Sequence, residues 1–138
     1  MMLKKAAVLL TLLMPLFAQA ELVIVTNQDS PLSSLNQNEV KQLFSGQLRS
    51  LAGKPVQPLD LPAKDPTREK FYLHIMGRTP EQMRAYWTRL IFTGQGKPPR
   101  EVSSSHELKI LLGSSAEYIG YIEEEALTSN MRVLYQLP

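Results

Sequence analysis

Residues 55–72 constrain the fold of this chain most strongly, and they read PVQPLDLPAKDPTREKFY. The run from Val56 to Leu61 predicts a buried strand. Asp65 predicts the start of a helix, because its carboxylate can accept hydrogen bonds from the free amides of the first turn. Pro66 then takes the first helical position, where a missing N–H group costs nothing. A strand that leads into a helix through a short loop is typical of α/β proteins, and such a helix N-terminus is a common place to hold an anion.

Residues 1–20 predict a secretory signal peptide. The segment starts with a lysine pair, continues with an apolar run too short to span a bilayer, and ends in Ala-Gln-Ala, the small-residue pattern that a signal peptidase needs. We therefore expect a mature chain that begins at Glu21 and is exported to a bacterial periplasm. No cysteine follows the predicted cleavage site, which argues against a lipid anchor, and no later apolar run is long enough to span a membrane.

The charge balance argues against a nucleic-acid partner. The whole chain has 15 lysine and arginine residues against 13 aspartate and glutamate residues, and two of the lysines lie in the predicted signal peptide. The mature chain is therefore neutral, which gives no support for binding to nucleic acid or to an anionic membrane. The chain has no cysteine, which excludes disulfides, thiol catalysis and thiolate metal sites.

Residues 21–138 predict one α/β domain: a three-layer arrangement with a mixed, mostly parallel sheet flanked by helices. Strands are predicted at residues 22–25, 56–61, 100–102, 118–122 and 131–135. Helices are predicted to begin after the capping residues Asn36, Asp65, Thr79 and Ser104. This alternation of strands and helices indicates a sheet that is covered on both faces.

Two further local predictions concern a loop and a helix face. Residues 47–54 are polar and contain glycine, which indicates a loop. The third helix is expected to bury an apolar stripe formed by Met83, Tyr86, Trp87, Leu90 and Ile91.

The sequence indicates neither a catalytic site nor a metal site. His74 and His106 lack the spacing of metal ligands or of a catalytic triad, and the chain contains no nucleophile elbow or P-loop. The three glutamates at 123–125 would point in different directions from a helical turn, so they are interpreted as a solvated run. We therefore expect a protein that is not an enzyme and that uses no cofactor or metal.

Three polar junctions are candidate ligand sites. They contribute Ser33 and Ser34 after the first strand, Thr67 and Arg68 in the first turn of the second helix, and Ser103 and Ser104 before the fourth helix. All three are expected at carboxyl ends of strands, the edge at which open α/β sheets usually bind ligands. The alternative is that these residues serve only as caps and turn formers.

The order of several motifs resembles a known family. The motifs are Leu35, Val40, Leu43, Phe44 and Gly46, then the strand at Pro55-Val56, Phe71, Trp87 and the run from Ala116 to Tyr121. Together they resemble the phosphate-type periplasmic substrate-binding proteins of ABC transporters (type 2 periplasmic binding proteins). The resemblance implies the fold of one of the two lobes between which such proteins trap a ligand. It also implies a small oxyanion such as phosphate as the ligand, for uptake or sensing.

The same resemblance reveals a departure at the strand-to-helix junction. There the family has an arginine and an aspartate, followed by Ser-Gly-Thr, whose hydroxyls and amides hold the phosphate. Aligned on Phe71, the last three positions are Asp65, Pro66 and Thr67 in this chain. Asp65 would repel a bound anion by about 4 kcal/mol at intermediate dielectric, and Pro66 removes an amide donor.

Two functions follow from these observations, and the sequence leaves both open. The first is a periplasmic module that binds a small ligand such as an oxyanion. The second is an interaction or accessory domain that keeps the lobe as a scaffold and binds an envelope protein. If the chain is a single lobe, a partner protein or a second copy of the chain would have to supply the opposing lobe.

Overall fold

A five-stranded mixed sheet flanked by helices organises the chain, which this computed structural model describes at residues 13 and 21–137. The predicted signal peptide therefore lies outside the described residues, apart from residue 13. The elements in chain order are β1 (Leu22–Asn27), α1 (Gln37–Phe44), β2 (Ser50–Leu51), β3 (Lys54–Pro55), β4 (Gln57–Asp60), α2 (Pro66–Phe71), a π-helical turn (Tyr72–Met76), α3 (Pro80–Phe92), β5 (Arg100–Glu101), α4 (Ser105–Ser114), β6 (Tyr118–Glu123), a 3-10 turn (Glu124–Ala126) and β7 (Met131–Gln136). The predicted α/β fold is confirmed.

The strand order in the sheet is β5-β4-β6-β1-β7. Strand β4 pairs in parallel with both β5 and β6, whereas β1 pairs antiparallel with both β6 and β7. Four strands therefore run in one direction, and β1 runs against them. We call the edge at which β4, β5 and β6 end the carboxyl edge. Strand β1 ends at the opposite edge.

The helices begin where their capping residues predict. Asn36 caps α1 and Thr79 caps α3, each in a reciprocal capping box with the residue three positions further on. Helix α2 passes directly into the π-helical turn, which ends at Gly77 in the left-handed conformation (φ 67°). Local side-chain chemistry therefore determines where each of these helices begins.

Two local predictions are wrong in part. Residues 47–54 are not all loop, because β2 and β3 form a small antiparallel hairpin. Its two-residue turn has positive φ at Ala52 (50°) and Gly53 (76°), as a tight hairpin turn requires. Ile91 is 55% exposed, because at 100° per residue it lies roughly 80° around α3 from the buried Met83. The stripe that faces the core is therefore narrower than predicted.

An aromatic cluster joins the first two helices to the sheet. The ring of Phe71 stacks on Tyr121 with 4.0 Å between ring centroids, and Phe44 meets Phe71 edge-on at 4.8 Å. All three side chains are buried. Because Phe44 ends α1, Phe71 ends α2 and Tyr121 lies in β6, this cluster places the Tyr121 hydroxyl beside the end of β4.

None of the helices in the described part of the chain is both long enough and apolar enough to cross a membrane.

Candidate functional site

A buried carboxylate, Asp60, lies at the end of β4 on the carboxyl edge of the sheet. The residue is only 4% exposed. One of its oxygens accepts a hydrogen bond from the hydroxyl of Tyr121, and the other accepts one from the hydroxyl of Tyr72. The Tyr121 hydroxyl in turn accepts from the backbone amide of Leu61 at 3.1 Å. Asp60 is therefore held by side chains from β6 and from the π-helical turn.

Arg68 supplies the positive charge next to this carboxylate. Its Nη2 lies 3.6 Å from Asp60 Oδ2, and its Nη1 lies 3.3 Å from Glu101 Oε2. The same Nη1 donates to the carbonyl oxygen of Leu61 at 2.8 Å, and the guanidinium lies 5.2 Å from the centre of the Tyr72 ring. The guanidinium is thus bound by two carboxylates, a carbonyl and an aromatic face.

The electrostatics of the cluster follow from its burial. Burial raises the pKa of Asp60 above its ordinary value, although the hydrogen bonds from Tyr121 and Tyr72 and the charge of Arg68 act in the opposite direction. Burial and the nearby Asp60 raise the pKa of both tyrosines, which keeps their hydroxyls protonated as donors. Burial lowers the pKa of Arg68, but the charge of Asp60, the two tyrosines and the hydrogen bond to Glu101 together outweigh it, so the net direction of the pKa is upward.

The start of α2 is occupied by a side chain of the same segment. Asp65 Oδ1 accepts from the amide of Thr67 at 2.9 Å, and Pro66 has no amide hydrogen to offer. The Thr67 hydroxyl donates to Glu123 Oε1 at 3.4 Å. The amide and the hydroxyl of Thr67 therefore both have partners within the chain.

Ser103 and Ser104 lie on the carboxyl edge, directly after β5, and act as caps of α4. Ser104 Oγ accepts from the amide of Glu107 at 3.1 Å. The Glu107 carboxylate accepts from the amide of Ser103 at 2.9 Å and from its hydroxyl. These bonds lower the pKa of Glu107. In the predicted capping box, the Glu107 side chain would accept from the amide of Ser104. It accepts from the amide of Ser103 instead.

Ser33 and Ser34 follow a strand that ends at the edge of the sheet opposite the other candidate residues. Both are exposed and follow β1, which ends at the opposite edge because it runs antiparallel. The segment that contains them is tied to β7 by the amide of Leu35, which donates to the carbonyl of Leu134 at 2.8 Å. The expectation that all three junctions share one edge is therefore wrong for this junction. Thr67, Arg68, Ser103 and Ser104 do share an edge.

Three solved structures share this fold. They are an ABC-type phosphate transport receptor from Vibrio cholerae (TM-score 0.65, 18% identity), a phosphate ABC transporter substrate-binding protein with bound phosphate from Clostridium perfringens (0.67, 15%) and PstS from Borrelia burgdorferi (0.62, 12%). Each match covers 83% of this chain. The chain has the fold of a phosphate-type substrate-binding protein.

The similarity to the substrate-binding proteins extends over part of their length. This chain spans 45%, 44% and 46% of the three solved chains, in the same order. The extent is consistent with one lobe, as the sequence motifs implied. No family model and no curated protein matches the sequence.

Sequence reasoning did not identify Asp60, the residue at the centre of the buried cluster. Asp60 lies between the buried Leu59 and Leu61, and charged residues are rarely buried unless they are paired. That position alone signals a buried polar contact. Its partners Tyr72 and Tyr121 resemble ordinary core aromatics in the sequence. No group of three or more histidine, cysteine or acidic side chains in the described part of the chain is placed to hold a metal ion.

Proposed function

We propose that this chain is a non-catalytic interaction module of the bacterial envelope. It keeps the lobe fold of a phosphate-type substrate-binding protein as a scaffold, and its own carboxylates fill the junction at which an anion would bind. Export to the periplasm rests on the signal peptide predicted at residues 1–20. This is the second of the two functions that follow from the sequence.

The engagement of Arg68 is the observation that carries this proposal. Its guanidinium already lies against Asp60 and Glu101. An anion that reached Arg68 would sit a few ångströms from these carboxylates. Each pair of like charges about 4 Å apart costs about 4 kcal/mol at an effective dielectric of about 20. Asp65 adds a third carboxylate, because it caps α2 at the same edge.

Binding of a small oxyanion is the second candidate, and one observation favours it. The Clostridium perfringens protein with the same fold holds bound phosphate. In this candidate, phosphate would be bound for ABC-type uptake or for sensing, at Thr67, Arg68, Ser103 and Ser104.

Thermal unfolding in different anions separates the two functions. The exported chain would be heated in phosphate, sulfate or chloride at equal ionic strength. A ligand at about 100 times its Kd adds about 2.7 kcal/mol of stability, which corresponds to a rise in Tm of about 10 °C for a domain of this size. We expect phosphate to raise the Tm no more than chloride does.

A pair of variants tests the reason for that result. Asp65→Ser removes the charge but keeps an equally good helix cap. Asp29→Ser removes an exposed acid in the loop after β1 and serves as the control. Any gain in phosphate affinity is expected in Asp65→Ser alone. A saturable phosphate shift in the wild type that Asp65→Ser leaves unchanged would overturn the proposal.

A further inference from the structure

A groove of about 510 Å³ opens at the edge of the sheet opposite the carboxyl edge. Gln57 and Pro58 at the start of β4 line it, together with Arg100 at the start of β5. Trp87 of α3 also lines it and is 8% exposed. The groove is thus separate from the Asp60 cluster, which lies where β4 ends.

The charged side chains that line this groove are all positive. Arg49, Lys97 and Arg100 line it, and no aspartate or glutamate is among the described residues that line it. Within the described part of the chain, none of these three cations forms an ion pair within 4 Å. Arg100 donates to the Tyr118 hydroxyl at 3.2 Å, and its charge contributes to lowering the pKa of Glu107. Arg49 and Lys97 are exposed, so a ligand can reach their side chains.

Glu117 is an acid that a hydrogen bond connects to the groove, and this bond already engages it. Glu117 Oε2 accepts from the side-chain amide of Gln57 at 3.2 Å. The carboxylates of the Arg68 region lie at the other end of β4. The two edges of the sheet therefore differ in charge: the carboxyl edge is rich in acids, and the groove edge is rich in cations.

The apolar part of the groove is rigid. Proline side chains line it at Pro55, Pro58, Pro98 and Pro99. Gly46 has a φ of 77°, and a Cβ added there would lie 3.4 Å from Cη2 of Trp87, so the chain packs closely around the indole. Fixed backbone and closely packed rings lose little freedom when a ligand binds, and this favours affinity.

We propose that this groove docks an extended acidic segment of a partner protein. Carboxylates of the segment pair with Arg49, Lys97 and Arg100, and an apolar side chain of the segment lies against Trp87. The proposal rests on the interaction function proposed above and names the chemistry of the partner. A segment with several carboxylates is favoured over a single inorganic anion, because exposed ion pairs contribute little individually and several on one chain act together.

Fluorescence provides a direct measurement, because Trp87 is the only tryptophan of the chain. The probe is a synthetic peptide of alternating glutamate and alanine, and a lysine–alanine peptide of the same length is the charge-reversed control. We expect the acidic peptide to change the Trp87 emission saturably and the basic peptide to leave it unchanged. Added salt should weaken the effect, because it screens exposed charges.

Matched double variants locate the effect in the groove. Arg49→Gln/Lys97→Gln removes two groove cations. Arg84→Gln/Arg89→Gln removes two exposed cations of α3 that do not line the groove. The groove variant should bind the acidic peptide about tenfold more weakly, which lies within the range expected for the loss of two exposed ion pairs. The α3 variant should bind like the wild type.

Several outcomes would overturn the groove proposal. They are an absence of any emission change with the acidic peptide, an equal change with the basic peptide, and equal weakening in both double variants. Saturable quenching of Trp87 by phosphate alone, lost in the groove variant, would assign the groove to a small anion. A failure of the proposed function would give a different result: phosphate would stabilise the protein against thermal unfolding by binding at the Asp65 junction.

Discussion

The substitution Tyr121→Phe tests the buried cluster most directly. The Tyr121 hydroxyl donates to Asp60 and accepts from the backbone amide of Leu61 at 3.1 Å. The ring is fully buried and stacks on Phe71 with 4.0 Å between centroids. Phenylalanine keeps the ring and its packing, so the substitution removes the two hydrogen bonds and creates almost no cavity.

The cost of Tyr121→Phe follows from those two bonds. A hydrogen bond to a charged group contributes about 1.5–3 kcal/mol, and a buried amide left without an acceptor costs about 1–3 kcal/mol. The two effects share one hydroxyl, so we expect a combined loss of about 3–5 kcal/mol. Because a typical domain has about 5–15 kcal/mol of stability, the variant should fold but unfold at much lower urea concentration.

Urea unfolding followed by circular dichroism measures this loss, with two tyrosine variants for comparison. Tyr72→Phe removes a single bond to the same carboxylate and should cost about 1.5–3 kcal/mol. Tyr135→Phe removes an exposed hydroxyl that lies 3.5 Å from Gln37 Oε1, so a change within about 0.5 kcal/mol is expected. If Tyr121→Phe were no more destabilising than Tyr135→Phe, the cluster would contribute nothing to stability and our reasoning would be refuted.

Two further predictions concern pH and packing. Burial raises the pKa of Asp60 above its ordinary value of 3.8, so the native state binds the Asp60 proton more tightly than the unfolded chain does. Binding of this proton therefore stabilises the native state fully when the pH is below the ordinary pKa. The stabilisation is lost as the pH rises through the raised pKa of the native state. The free energy of unfolding of the wild type, relative to that of Asp60→Asn, should therefore fall from acidic pH towards neutrality. Urea unfolding of both proteins across this pH range measures the difference, and a difference that rose with pH would contradict the prediction. Gly120→Ala should cost about 1–3 kcal/mol, because the new Cβ would lie 3.0 Å from Cδ1 of the buried Leu108. In Gly96→Ala the nearest atoms are 4.0 Å away, so equal losses in the two variants would contradict the packing argument.

The sequence alone determined the local architecture. Asn36, Asp65 and Thr79 mark helix starts that the structure confirms, because a cap acts on amides only two or three residues away. For the same reason, Asp65 and Pro66 were sufficient to indicate that the chain itself occupies the start of α2. The alternation of strands and helices was sufficient for the α/β class, and the order of motifs was sufficient for the substrate-binding-protein fold.

Only the tertiary structure decided how these elements combine. The antiparallel direction of β1, which moves the end of that strand away from the other candidate junctions, depends on its pairing with β6 and β7 near the end of the chain. The Asp60 cluster likewise joins β4 to Tyr121, 61 positions further along the chain. A hydrogen bond between residues so distant leaves no local pattern. An aspartate between two buried leucines indicates that it needs partners but not which side chains supply them. The residues that close the candidate site could be identified only after the sheet had brought β4 and β6 side by side.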